Sequence, residues 1–261
     1  MSERGTYVYA IARGLEPTDV ADGRGIHDQP LGLVEHRGLV AVVGQVDLDE
    51  FGEEGLRRNL EDLRWLESVA TAHDRVARLV AERAPTTPLR LATVFLTEER
   101  LRDRLDEWHD AAERALDRVE GRSEWSVKGY ADPDAVSDQA EDEPVPDGLG
   151  AGRAYLLKRR AATRHQEQVV RELAETAERM HESLASVSVA GRRLPAQDRR
   201  LTGHTGEMVL NGTYLVENDR AGEFRDAVES LPESLGGTTA RVRVELAGPW
   251  PPYSFASLEE Q

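Results

Sequence analysis

The chain has 261 residues, a formal net charge of -16, 31% charged and 5% aromatic residues, and no cysteine. That length suits one large or two medium domains. Without cysteine there are no disulfides, thiolate zinc sites, iron–sulfur clusters or cysteine nucleophile, and so acidic a chain is a poor sequence-independent binder of nucleic acid or anionic membrane, which require a basic surface.

Taken in chain order, residues 7–12 read as a first strand, followed by a Gly-, Asp- and Pro-containing loop over 14–30. Residues 33–36 and 39–46 form two short strands around Arg37 and Gly38, a hairpin by turn chemistry. At Leu56 the period changes. Leu56, Leu60, Leu63, Leu66, Val69, His73, Val76 and Val80 recur at three- and four-residue spacing, which predicts one helix with a buried stripe ended by Pro85 and Pro88. A strand over 89–95 follows, and Thr97 is placed to cap a helix with an acidic first turn at Glu98 and Glu99. That helix carries the stripe Leu101, Leu105, Trp108, Ala112, Leu116 and Val119, and a strand over 125–130 closes the first half.

Residues 131–150 are acidic and nearly free of large apolar side chains, the composition of a solvated linker. Ala162, Val169, Leu173, Ala177, Met180 and Leu184 then predict a helix over 153–184, the longest element. Strands over 187–189 and 208–216, a helix over 222–231 and a last strand over 240–246 complete the reading. The class is α+β, with antiparallel strands and helices segregated to one face. Domain bounds are 1–131 for an N-terminal α+β domain, 132–149 for the acidic linker, and 150–261 for a C-terminal domain in a modified ferredoxin-like layout with a long helix. No run of about 18 apolar residues and no apolar leader is present, so the expectation is a cytoplasmic protein with no membrane partner.

Catalytic motifs are scarce. No nucleophile elbow, HExxH helix, phosphate-binding loop or dinucleotide fingerprint occurs. Three histidines are followed by aspartate: His27, His73 and His109. Such pairs serve metal-dependent phosphohydrolases, which makes that activity the alternative function. However, Asp74 lies about 100° around the helix from His73, so the pair converges on a metal only if other elements supply ligands. No catalytic, metal or cofactor-binding residue is assigned.

The most distinctive stretch is Gly248, Pro249, Trp250, Pro251, Pro252, Tyr253, Ser254, Phe255. Three prolines in four residues remove backbone donors, which predicts that the preceding strand stops and the chain continues along an extended, polyproline-like path. Trp250, Tyr253 and Phe255 carry large apolar area and are expected to dock as a structural tail between the two domains.

With its approach, LAGPWPPYSF, this tail resembles the C-terminal signature of the gas vesicle protein GvpL/GvpF family. Further blocks follow the family order: YVYAI at 7–11, DLRWLESVATAH at 62–73, PLRLATVF at 88–95, EWSVKGY at 124–130 and LNGTYLV at 210–216. The resemblance implies the two-part α+β architecture and a non-catalytic accessory or minor structural protein, chaperone-like, of gas vesicle assembly. Its implied partners are the small, hydrophobic main shell protein and other gas vesicle accessory proteins, with no cofactor, and its implied location is the cytoplasm and the gas vesicle. Within the N-terminal domain the hairpin is the candidate contact, with Leu39, Val40, Val42 and Val46 as partner-binding residues on a sheet edge.

Overall fold

The structure, a computed structural model, describes residues 3–131, 151–197, 206–234 and 242–258. Its contacts divide the chain into a first unit, Met1–Glu124 with Pro249–Gln261, and a second, Trp125–Gly248. The acidic segment expected as a linker lies outside the described residues.

In the first unit, β1 (Arg4–Arg13) is buried along almost its whole length, which an antiparallel strand achieves only when both faces of its sheet are covered. Helices cover both. Tyr7 and Tyr9 of β1 join a core with Val69, Val76 and Val80 of α4 (Leu63–Ala81), while Val8 and Ile11 join a second core with Leu101, Leu105 and Leu116 of α5 (Glu98–Val119). The α+β class therefore holds, but the helices of this unit are not segregated to one face. A register shift between Val8 and Ala10 lets the strand keep feeding both cores.

The sheet runs β2 (Gly32–His36), β3 (Leu39–Asp47), β1, β4 (Thr86–Pro88), and the two-residue β5 (Val94–Phe95) also pairs with β1. Arg37 and Gly38, with φ of 50° and 86°, make the tight β2–β3 turn, and two positive φ values are what such a turn requires. Three short helices join these strands: α1 (Pro17–Val20) in the 14–30 loop, then α2 (Leu48–Phe51) and α3 (Glu53–Asn59).

The single helix expected from Leu56 to Val80 is two helices. Asp62 accepts hydrogen bonds from the backbone N–H groups of Arg64 and Trp65, capping α4 at Leu63, and this local bonding interrupts the helix. Leu60 and Leu63, counted in the buried stripe, are 48% and 77% exposed. The strand expected over 89–95 shortens to β5, because Ala92 adopts φ 63° and Thr93 N–H turns back to the Arg90 carbonyl. Thr97 caps α5 as expected, accepting from Arg100 N–H.

The second unit runs β6 (Arg122–Ala131), α6 (Ala151–Ser186), β7 (Ala190–Arg193), β8 (Glu207–Glu217), α7 (Ala221–Ser234) and β9 (Val242–Trp250), with sheet order β7-β8-β6-β9. This βαββαβ order is the ferredoxin-like arrangement. Its first strand is β6, so the strand expected to close the first half belongs to the other sheet. Trp125 and Val127 pack with Met180, Leu184, Leu210, Tyr214 and Phe224. The expected 187–189 strand instead begins at Ala190, pairing Ala190 with Leu215 through Arg193 with Gly212.

The last strand does not stop at Leu246. β9 continues through Gly248 and Pro249 to Trp250. It lies at the sheet's end, where a proline lacking N–H can face the open side without breaking a ladder bond. Gly248 takes φ 136°, a conformation that L side chains rarely adopt, and this lets the strand pass the proline. Among the described residues, no helix is long and apolar enough to cross a membrane.

Candidate partner-binding site

The four hairpin residues expected at an edge are interior. β3 is flanked by β2 and β1, and Leu39, Val40, Val42 and Val46 are 0%, 7%, 0% and 3% exposed. Val40, Val42 and Val46 belong to the core under α4 and Leu39 to the core under α5. Alternation along one strand thus sends this set to two different faces. Leu39→Ala is expected to lower stability by about 2–5 kcal/mol, as for other core leucine truncations, and urea unfolding will read that loss.

β2 is an edge strand of this sheet, at the end beyond β3. His36 pairs with Leu39 across a two-residue turn, so Val34 and Gly32 also bond to β3, and the backbone groups of Leu33 and Glu35 face outward. One outward group is used: Arg102 Nη1 donates to the Glu35 carbonyl at 2.6 Å. Beside it, Asp106 lies 2.9 Å from His36 Nε2 and 3.0 Å from Arg37 Nη1, tying the hairpin end to α5. These two partners hold the Asp106 carboxyl below the ordinary carboxylate range. His109 Nε2 lies 3.2 Å from the Arg37 carbonyl.

The tail follows a different path from the extended one expected. After Trp250, Tyr253 N–H donates to the Pro251 carbonyl, and the N–H groups of Phe255 and Ala256 donate to that of Pro252, closing a compact turn. The chain turns here because proline fixes its own φ without forbidding the bonds that its carbonyl accepts. The turn packs within the first unit. Arg78 stacks on the Trp250 ring at 3.9 Å, Tyr253 places its ring 6.5 Å from that of His73, and its hydroxyl donates to Asp74 at 3.5 Å. Ser254 donates from its N–H and hydroxyl to the buried Glu124 carboxylate at 2.8 and 2.6 Å. Phe255 is 6% exposed, whereas Tyr253 is 41% exposed. Arg78 and Glu124 escaped the sequence reading, and no local signal marks either as a tail contact.

Beneath the turn lies a polar cluster inside the core. His73 is 3% exposed, its Nδ1 is 2.9 Å from the Tyr7 hydroxyl, and its Nε2 has no hydrogen-bond partner among the described residues. Burial pushes its pKa down to about 4, opposed more weakly by the Leu89 backbone and the Asp74 charge. The Tyr7 hydroxyl also accepts from Ala92 N–H at 3.0 Å, and the Tyr9 hydroxyl accepts from Ile26 N–H at 2.8 Å. Burial raises both phenol pKa values, so these groups serve as neutral hydrogen-bonding pins.

The three His-Asp pairs have separate attachments. His27 binds the Glu50 carboxylate, Asp74 binds Arg78, and His109 lies beside the Arg37 carbonyl. Among the described residues, no three metal-ligating side chains gather into a group that could hold a metal ion.

Comparison with known proteins follows from this architecture. The profile of the family described as "Gas vesicle synthesis protein GvpL/GvpF" matches residues 5–257. The chain belongs to the GvpL/GvpF family. It is 39% identical over 260 residues to gas vesicle protein L of Streptomyces sp. strain CB03234, covering 100% of this chain and 96% of that protein. Gas vesicle protein F of the same strain is 27% identical over 255 residues, covering 96% of this chain and 98% of that one. The crystal structure of GvpF from Anabaena sp. PCC7120 superposes with a TM-score of 0.69 at 17% identity, covering 98% of both chains. At that identity the superposition establishes a shared fold. GvpL/GvpF membership gives the chain a gas vesicle role.

Proposed function

We propose that this GvpL/GvpF protein is a non-catalytic assembly factor that engages the main gas vesicle shell protein, together with other gas vesicle accessory proteins, during vesicle formation in the cytoplasm. The observation that carries this reading is the family match from residue 5 to residue 257. Physical chemistry supports it. A small protein with a gas-facing apolar surface self-associates in water unless that surface or its strand edge is covered. A helper of charge -16 would keep such a complex dispersed by repulsion.

The contact surface proposed is the outward edge of β2, displaced by one strand from the residues that the sequence suggested. Its outward Leu33 groups and Glu35 N–H are the bonds an added strand would use. Co-expression with the shell protein tests the function: the shell protein is expected to remain in the supernatant after sedimentation and to co-purify. An insoluble, unbound shell protein would overturn the reading. Glu35→Pro removes an outward N–H while leaving the bonds to β3, so it is expected to weaken capture at least tenfold if β2 is the docking edge.

A further inference from the structure

We infer that the outward face of α6, in the second unit, is an interface between two copies of this chain, which pairs their helices antiparallel about a two-fold axis at Arg171. This inference goes beyond the shell-protein reading and does not rest on it. The helix has 36 residues, a length of about 54 Å. Val169, Leu173, Ala177, Met180 and Leu184 turn one of its faces into the core. On the opposite face Arg160, Arg164, Glu167, Arg171, Glu175, Glu178 and Glu182 recur every three or four residues, and all of them are exposed.

This line is laid out symmetrically about its centre. Counted from Arg171, Glu167 and Glu175 both lie four residues away, Arg164 and Glu178 both seven, and Arg160 and Glu182 both eleven. At seven and at eleven the two ends carry opposite charge. A two-fold axis at Arg171 therefore sets Arg164 of one copy against Glu178 of the other and Arg160 against Glu182, each pair twice, along about 33 Å of helix. The two central Arg171 guanidiniums fall among the carboxylates of Glu167 and Glu175 from both copies. Within one chain, Glu178 has an ion-pair partner, Arg193, and no other residue of the line has one among the described residues.

The direction of the charges selects a second copy as the occupant. A helix favours carboxylates near its N-terminus and cations near its C-terminus, as α5 has with Glu98 and Glu99 in its first turn and Arg118 in its last. In α6 this is reversed. Residues 151–166 hold Arg153, Lys158, Arg159, Arg160 and Arg164 and no carboxylate, whereas 167–186 hold five glutamates against Arg171 and Arg179. Charges so placed add to the helix dipole and repel their own neighbours, and an antiparallel copy offsets both by bringing its acidic half to the basic half. A segment of one sign would complement only half of the line, whereas the inverted copy of the same helix complements both halves. Val170, 55% exposed, and the exposed Ala174 border the line, and the two-fold brings both copies of Val170 to one side of the pair, adding apolar contact beside the axis. Repulsion between two bodies of charge -16 is screened beyond about 8 Å at physiological salt, while paired side chains are in contact.

The test is sedimentation velocity of the full chain over a range of concentrations at physiological salt, where a reversible dimer is expected. Arg160→Glu sets like charges at both outer pairs and is expected to weaken dimerisation about tenfold, and Glu182→Arg does the same from the other end. An equimolar mixture of the two variants is expected to recover the affinity of the unaltered chain, because the two substitutions then face each other, a recovery that a misfolded variant could not give. A chain that stays monomeric, variants that dimerise as the unaltered chain does, or a mixture no tighter than its components would each overturn the proposal. Shell-protein capture by either variant is expected to match the unaltered chain, which separates this face from the β2 edge.

Discussion

Phe255→Ala will destabilise the first unit by about 3–5 kcal/mol, the usual loss for truncating a buried phenylalanine. Phe255 is 6% exposed and stands between the buried Pro252 and Ala256, 2% exposed, in the turn that closes the tail. Its removal leaves a cavity that the proline-restricted turn cannot readily relax to fill. Tyr253→Ala should be much milder, below about 1.5 kcal/mol, because that ring is 41% exposed and its single long hydrogen bond to Asp74 is near the surface. Hydrogen exchange of the β1 amides provides the measurement, since these open with the first unit rather than with the second. Equal protection in the two variants would show that the turn does not stabilise this unit by packing.

Acidification will destabilise the first unit through His73. Its folded pKa is depressed to about 4, whereas an unfolded histidine titrates near 6.5. Above about pH 6.5 both states carry a neutral ring and the stability is pH-independent on this account. Between about 6.5 and 4 the unfolded state binds the extra proton, so stability falls as pH falls, by up to about 3 kcal/mol in total. Below about pH 4 the folded ring is also protonated and this contribution levels off. Urea unfolding of the full chain and of His73→Leu at pH 7, 5.5 and 4.5 isolates the effect, since the carboxylates titrate in both. The difference between the two proteins should shift in favour of the leucine variant as pH falls. A pH-independent difference would mean that His73 reaches solvent.

Elements defined by local chemistry were legible. Thr97 caps its helix because its side chain reaches an N–H three residues away, and Arg37-Gly38 turns the hairpin because two residues can adopt positive φ. The stripe Val169, Leu173, Ala177, Met180 and Leu184 is buried as its spacing requires. The same rule failed at Leu60 and Leu63, where the Asp62 side chain competed for the backbone and divided the helix. Periodicity reports which residues could share a face, whereas a single side-chain hydrogen bond decides whether the face is continuous.

The candidate site was less legible. Leu39, Val40, Val42 and Val46 read correctly as strand, yet their edge position was wrong because strand order is a property of pairing, and β1 lies 26 residues upstream of β3's first residue. β6 was likewise recognised as a strand and placed with the wrong sheet.

What the sequence by itself determined is most of the long strands and helices, the α+β class, the acidic charge and the ordered blocks that carry GvpL/GvpF membership. Tertiary structure alone decided that β3 is interior and β2 an edge, that helices cover both faces of the first sheet, and that the tail belongs to the first unit's core. Local propensity acts over a few residues, whereas burial of Phe255, the Ser254 bonds to Glu124 and the stacking of Trp250 on Arg78 join positions more than a hundred residues apart. Such contacts arise because folding must cover apolar surface and satisfy buried carboxylates wherever they lie in the chain.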